Sequence, residues 1–453
     1  MKQRYNELTH DLCVQAVLSC FDKKWHRPEV MAFVNHYAGI PTREFYEAEL
    51  KQEVWPQLEA AEAIAYYLEE VVDELMHGEP LDMRPVIVRS RPDGMTGKMR
   101  DICDLCILHQ LLGHLVKLGL EPLFHARILP TQCASIPGRG QTGLLRKAKR
   151  YIRKAGLGIM VCQKTDVAKA YGSLMYAVVI DLLEKDVPSA IWILTVLRAL
   201  AAYAPGGHLI IGGYLDAWLF NYAMSFALRY VRSCGKTRRG KFIPNVKADT
   251  SYMDDFGLMG TGKTPVQRTV KLLDAWMQKF LGIRLKIKEH MIRFMTYKEE
   301  RERKKHKNRG CPCLDMGGYK IHRGYVTIRP GIFRRLRREF LRGWREIQAF
   351  GSIHLQRARK IMSYNGYFKW TNSVGIIATY HVKEVRKVAK SVIGYWSKRF
   401  AKAKRERMER YVIQCNVGRQ ARKGCAYLAA GRYCDGFSAR QHHENYRRER
   451  GCS

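Results

Sequence analysis

The sequence predicts a mixed α/β fold of the α+β kind, and three observations carry that expectation. Between Phe45 and Met76, apolar residues recur at helical spacing, among them Ile64, Leu68, Val71, Val72 and Leu75. Short apolar or alternating runs flank polar turns at three later places, which is the pattern of hairpins. The long apolar stretch from Val187 to Tyr230 is cut by Pro205-Gly206-Gly207 and Gly212-Gly213, so it reads as two helices around a glycine-rich turn.

Bulk composition narrows the class. A chain of 453 residues, 46% hydrophobic, can bury a sizeable core and has room for roughly two to four domains or one large multi-lobed enzyme. Its formal charge is +37, from 79 Lys and Arg against 42 Asp and Glu. Such an excess fits a polyanion better than a small-molecule substrate. A membrane surface is the competing polyanion, but no apolar run reaches a membrane-spanning length. No membrane partner is therefore expected. The N-terminus has no signal-peptide core. The 13 scattered cysteines suggest no disulfide framework, so a reducing cytoplasm is expected.

Taken in order, residues 1–83 read as a helical extension, acidic where the rest is basic. A helical cap packed on the remainder is the plainer reading, and a face for a basic patch of another subunit is the alternative. Pro85 to Arg89 and Lys98 to Ile102 read as two strands around a polar turn. Lys98 and Arg100 fall on one strand face, where they clamp a triphosphate or are simply solvated. Leu105 to Leu118 reads as an amphipathic core helix. The loop Cys133 to Gly143 is glycine-rich, contains Arg139 and precedes a basic helix, Leu144 to Ala155. It lets backbone approach a phosphate or template strand, but it lacks the Gly-Lys-Ser/Thr ending of a P-loop.

Two acidic stretches carry the chemistry. Gly158 to Asp166 is an apolar strand ending in a carboxylate, with Tyr171 five positions on. Ala248 to Leu258 reads as a hairpin whose turn is Tyr252-Met253-Asp254-Asp255. Adjacent carboxylates repel each other, and a hard divalent cation between them removes the penalty. That suits two-metal phosphoryl transfer, with Asp166 as third ligand. A solvated Asp-Asp turn is the bland reading of the tetrapeptide alone. At Gly212-Gly213, a base pair or sugar approaching the backbone and a simple loop are equally good readings.

Val266 to Leu281 reads as a helix. Gly282 to Lys288 reads as a strand with Arg284, Lys286 and Lys288 on one face. Lys298 to Arg309 reads as a charged solvated loop or a nucleic-acid-facing insert. His306, Cys311 and Cys313 fall short of the ligand pattern zinc needs. Leu314 to Ile321 and Gly324 to Arg329 read as a second hairpin. Basic helices follow at Ile332 to Phe350, carrying Arg334 and Arg337, and at His354 to Ser363. In Ser363 to Ser373, Lys369 sits among Tyr, Phe and Trp, which suits phosphate gripping and stacking. Residues 384–453 are basic throughout, and the part from Gly418 reads as irregular.

The order of these pieces resembles the reverse transcriptase family over roughly residues 85–375. The Tyr-x-Asp-Asp box is the most specific feature and the Asp166 segment the next, 88 residues earlier (254 − 166 = 88). The resemblance implies a right-hand polymerase: fingers at 84–157, palm with helical insertions at 158–328, thumb at 329–383, a helical N-terminal extension at 1–83 and a basic C-terminal extension at 384–453. It implies RNA-directed DNA polymerase activity, with dNTPs as substrates, a non-coding RNA as template and DNA as product. Asp166, Asp254 and Asp255 would be catalytic. With Val167 they form the implied site for two Mg²⁺ ions, for which Mn²⁺ can substitute. Lys98, Arg100, Tyr171, Gly212 and Lys288 match the dNTP site, Tyr171 as the gate against a ribose 2′-OH. Lys286 rivals Lys288 as the basic residue near the leaving group. Arg139, Tyr252, Met253, Gly318, Tyr319, Arg334, Arg337 and Lys369 are the implied nucleic-acid contacts, with Met316 to Tyr319 as a primer-grip hairpin.

One departure stands out: Asp216 and Ala217 follow the palm glycine where most relatives carry Ser or Ser-Gln. The flanks favour a role in bacterial antiviral defence over a retron or a diversity-generating retroelement. A template-independent polymerase, a non-catalytic RNA-binding scaffold and a homo-oligomer stay open.

Overall fold

The computed structural model describes residues 4–92, 99–168, 170–287, 291–305 and 310–421. The chain is mixed α/β and divides into two compact units. The first comprises Met1–Ile128, Tyr171–Ala223 and Lys404–Ser453, and the second Leu129–Ala170 and Met224–Ala403. Among the described residues, no helix is long and apolar enough to cross a membrane.

The first unit opens with four helices, His10–Phe21, Pro28–Ala38, Thr42–Lys51 and Trp55–Met76. Their ends follow from local chemistry. The Thr9 hydroxyl accepts the Leu12 amide at 3.2 Å, and Gly39 closes the second helix in a left-handed conformation (φ 65°). The helix Trp55–Met76 buries Ala60, Ile64, Leu68 and Val72, the stripe read from the sequence. Part of the acidic surface meets this chain's own cations: Glu49 pairs with His26 and with Lys404, each at 2.7 Å.

Strands β1 (Ile87–Pro92) and β2 (Met99–Asp104) pair antiparallel, from Ile87 opposite Asp104 to Pro92 opposite Met99. Arg89 of β1 pairs with Asp104 at 3.0 Å. The helix Ile107–Gly119 packs closely on Ile191–Ala202, since a Cβ at Gly119 would lie 2.6 Å from the Trp192 ring. The segment 187–230 holds the two helices expected, Ile191–Ala202 and the start of Tyr214–Ser233. A further helix, Tyr176–Asp186, precedes them and is not among the elements expected from the sequence.

The second unit is built on a five-stranded sheet. Its strands are β3 (Val161–Val167), β6 (Ala248–Tyr252), β7 (Asp255–Gly260), β8 (Leu285–Ile287) and β9 (Ile292–Arg293), in the order β6-β7-β3-β8, with β9 also on β3. The separate pair β4 (Gly235–Arg238) and β5 (Lys241–Pro244) is likewise additional to the expected elements. The helix Lys263–Leu281 links β7 to β8 and ends at Gly282 (φ 68°). The basic helix expected from Leu144 starts earlier and spans Gly140–Arg153.

One expectation is corrected here. The charge run from Lys298 reads as a loop in the sequence, but Tyr297–Lys305 is helical. Its start explains the difference: the Glu299 amide donates to the Thr296 hydroxyl at 3.2 Å while the Thr296 amide donates to the Glu299 carboxylate at 2.7 Å. This reciprocal Thr-x-x-Glu box satisfies two helix-end donors.

Beyond it, β10 (Leu314–Met316), β11 (Tyr319–Ile321) and β12 (Val326–Ile328) form a three-stranded meander. Leu314 to Ile321 turns at Gly317-Gly318, where a hairpin at Met316 to Tyr319 is expected, and β12 adds the third strand from the segment Gly324 to Arg329. Helices Pro330–Phe350, Leu355–Asn365 and Val382–Ala421 close the unit, the last crossing into the first unit from Lys404. Ile332, Leu336, Phe340, Ile361, Phe368 and Val385 form their shared core. The helix from Val382 continues through Gly418 to Ala421, where an irregular segment is expected from the sequence.

Candidate active site

The centre of the second unit's sheet gathers its charged residues at one end. On β3, Asp166 stands directly opposite Asp255 of β7 on one side and Lys286 of β8 on the other. Residues directly opposite on antiparallel strands share a face. Asp254 occupies the two-residue turn between Tyr252 and Asp255, which are themselves paired. The backbone positions of three acidic residues therefore meet because a strand end, a hairpin turn and a strand start come together in register.

Specific bonds hold the turn. The Val167 amide donates to the Asp254 carbonyl at 3.0 Å, and the Ser251 hydroxyl donates to the Met253 carbonyl at 3.2 Å. On the far edge of β6, the Ser251 amide donates to the Thr131 carbonyl and the Cys133 amide to the Ser251 carbonyl, both at 3.0 Å. Met253 takes a left-handed conformation (φ 53°), uncommon for a residue with a side chain and costing roughly 1 kcal/mol. Such strain persists where its surroundings enforce it, and it concentrates at functional sites.

The carboxylates are electrostatically frustrated. Burial, then the hydrogen-bonded Asp166 carboxyl and its charge, push Asp254 up to about 6. Crowding two acids this way disfavours the doubly ionised state. Two ammonium groups stand by: Lys164 Nζ lies 2.9 Å from Asp255 Oδ1, and Lys286 Nζ lies 3.8 Å from Asp166 Oδ2. The donor set is oxygen-only, and Mg²⁺ is typically held by one or two carboxylates together with substrate phosphates. Asp166 and Asp254 fit that requirement. Among the described residues, no three His, Cys, Asp or Glu side chains are gathered as a ready-made metal cage. Asp255 is engaged by Lys164.

A second layer supports the hairpin. Gln141, at the start of Gly140–Arg153, sits beside the hydroxyls of both Tyr252 and Tyr367. Tyr367 and Tyr319 lie with ring centroids 5.3 Å apart. The turn joining β10 and β11 has Gly317 at φ 58° and Gly318 at φ 86°, the signature of a tight primed hairpin turn. A Cβ at Gly318 would come within 3.0 Å of Ile332 Cδ1 and the Tyr367 hydroxyl.

The other expected residues fall as follows. Arg139 is used within the chain, its Nη1 donating to the Leu129 and Gln132 carbonyls at 2.8 and 2.9 Å. Arg334, Arg337 and Lys369 are exposed, Arg337 over the Tyr380 ring and Lys369 over Trp370. Tyr171, Gly212 and Arg100 belong to the first unit. Tyr171 is stacked on Phe220, and Arg100 is exposed opposite Arg91. Gly212 has φ 117°, and its Cβ would lie 3.0 Å from the Cys103 carbonyl, so a close backbone approach requires glycine there. Lys98 and Lys288 lie outside the described residues, as does His306.

Sequence reading overlooks Lys164, Gln141 and Phe220. Lys164 is legible in principle, because a residue two before Asp166 on a strand shares its face. Gln141 and Phe220 give no local signal, since their partners lie far along the chain. Compared with models of known protein families and with curated proteins, the chain matches none.

Proposed function

We propose that this chain is an RNA-directed DNA polymerase of right-hand architecture, with β3, β6, β7, β8 and β9 in its palm. The observation that carries this reading is the convergence of Asp166, Asp254 and Asp255 at the end of one sheet. Structural acids gain nothing from such crowding, which adds to burial in raising Asp254 to about 6. Divalent cations bound there supply activation of the primer hydroxyl and charge stabilisation of the departing pyrophosphate. In the chain itself, Asp166 and Asp254 hold and orient that centre. Lys286, 61% exposed beside Asp166, is free to reach a triphosphate. The resemblance to reverse transcriptases would make Tyr171, in the first unit, the residue that disfavours a ribose 2′-OH. The exposed arginines of Pro330–Phe350 hold the nucleic-acid backbone.

The excess of 37 positive charges supports a nucleic acid as the partner. On this reading a non-coding RNA is the template, dNTPs are the substrates and bacterial antiviral defence is the setting. The test is to purify the protein with its bound RNA, add Mg²⁺ and labelled dNTPs, and sequence both RNA and product. DNA complementary to a co-purifying RNA, lost in Asp166→Asn, is the expected outcome. DNA matching no bound RNA would replace the templated reading with an untemplated one. RNA binding without any synthesis would favour a scaffold.

A further inference from the structure

The contact between Lys164 and Asp255 does not belong to the two-metal scheme and bears on how the site takes up metal. Lys164 and Asp166 are two apart on β3, so they share a face, and Asp255 stands directly opposite Asp166. Lys164 therefore meets Asp255 diagonally, at 2.9 Å, and the two side chains are only 15% and 25% exposed. An ammonium this sheltered is costly without a counter-charge. With Lys286 beside Asp166, three carboxylates face two ammonium groups, leaving one net negative charge if all are ionised.

We infer that Lys164 is a positioning residue that holds Asp255 out of the metal site, so that Asp166 and Asp254 alone form it until a nucleotide arrives. The inference rests on the metal-binding reading of these carboxylates. Drawing Asp255 toward a cation would strand the Lys164 ammonium, and the ammonium itself repels a divalent ion. Both effects weaken metal binding in the free protein. A triphosphate brings the missing negative oxygens, which makes full metal occupancy conditional on nucleotide.

The experiment measures Mn²⁺ alone binding to the full chain freed of nucleic acid, by electron paramagnetic resonance of the unbound ion. Lys164→Met should tighten Mn²⁺ binding about tenfold, since it removes a positive charge a few ångströms from the ion. Lys164→Arg, which keeps the pair, should bind as the wild type does. Thermal melts of each variant establish that it is folded, and Lys164→Gln provides a second neutral side chain should Lys164→Met fail to fold. Unchanged Mn²⁺ affinity in folded Lys164→Met or Lys164→Gln, with binding still lost in Asp166→Asn, would overturn the inference and leave the metal site standing. Equal Mn²⁺ binding by the wild type and Asp166→Asn would overturn both.

Discussion

The Tyr171 ring lies stacked on Phe220, with centroids 5.2 Å apart and planes 24° from parallel. Phe220 is fully buried in the helix Tyr214–Ser233, so it fixes the plane of a ring that is itself half-buried. If Tyr171 is the sugar gate, its discrimination depends on that support. Tyr171→Ala should raise incorporation of NTPs relative to dNTPs by at least tenfold. Phe220→Leu should raise it by a smaller factor, because the ring remains but loses its backing. The ratio of kcat/KM for a matched dNTP and NTP measures both. Unchanged ratios would remove Tyr171 from the nucleotide site.

The exposed arginine face of Pro330–Phe350 should make nucleic-acid binding strongly salt-dependent. Its buried stripe, Ile332, Leu336 and Phe340, leaves Arg334 and Arg337 on the surface. Each backbone phosphate neutralised on a single strand contributes about 0.7 to the slope of log K against log salt. The double variant Arg334→Ala, Arg337→Ala should therefore lower that slope by about 1.4 if both touch phosphate. Filter binding at several salt concentrations reads it, and an unchanged slope would place the RNA elsewhere.

The turn between β10 and β11 has no room for a side chain. Gly318→Ala puts a methyl group at φ 86°, 3.0 Å from Ile332 Cδ1 and the Tyr367 hydroxyl. The backbone penalty alone is about 1–2 kcal/mol. Gly331→Ala, inside the helix Pro330–Phe350 where nothing lies within 4 Å, should be neutral to slightly stabilising and serves as the control. Thermal unfolding compares the two, and equal midpoints would mean that the turn relaxes freely.

Legibility in the sequence depends on how local each feature is. Asp166 and the Tyr252 to Asp255 turn are readable because strand alternation and a two-residue turn are short-range patterns. The hairpin at Gly317-Gly318 is only half readable: the glycines show, but their flanking strands are three residues each, too short for alternation to appear. The helix at Tyr297–Lys305 is hidden because its residues look solvated, and only the Thr296–Glu299 box marks its start. Asp216 stands out as a departure after the palm glycine, yet nothing nearby indicates that it is buried. Its partners, Tyr176 and the Ile210 amide, come together only in the folded unit.

That burial gives Asp216 a pH signature. Its carboxyl is 1% exposed and accepts the Tyr176 hydroxyl at 2.7 Å and the Ile210 amide at 2.9 Å. Gly213 makes space for it, since a Cβ there would overlap the second carboxylate oxygen. Burial raises the Asp216 carboxyl from 3.8 to about 6, and these hydrogen bonds only partly offset the rise. A carboxyl raised on folding binds its proton more tightly in the folded state. Its stabilising contribution is therefore complete below about pH 4 and is lost as pH rises through about 6. A rise of this size corresponds to about 3 kcal/mol. Asp216→Asn removes the titrating group while keeping an oxygen to accept both hydrogen bonds. Between pH 4 and pH 7 the wild type should lose about 2 kcal/mol relative to this variant, measured as urea midpoints across that range. Parallel stability curves for the two proteins would show that Asp216 ionises as an ordinary carboxylate, and its burial would then need another counter-charge.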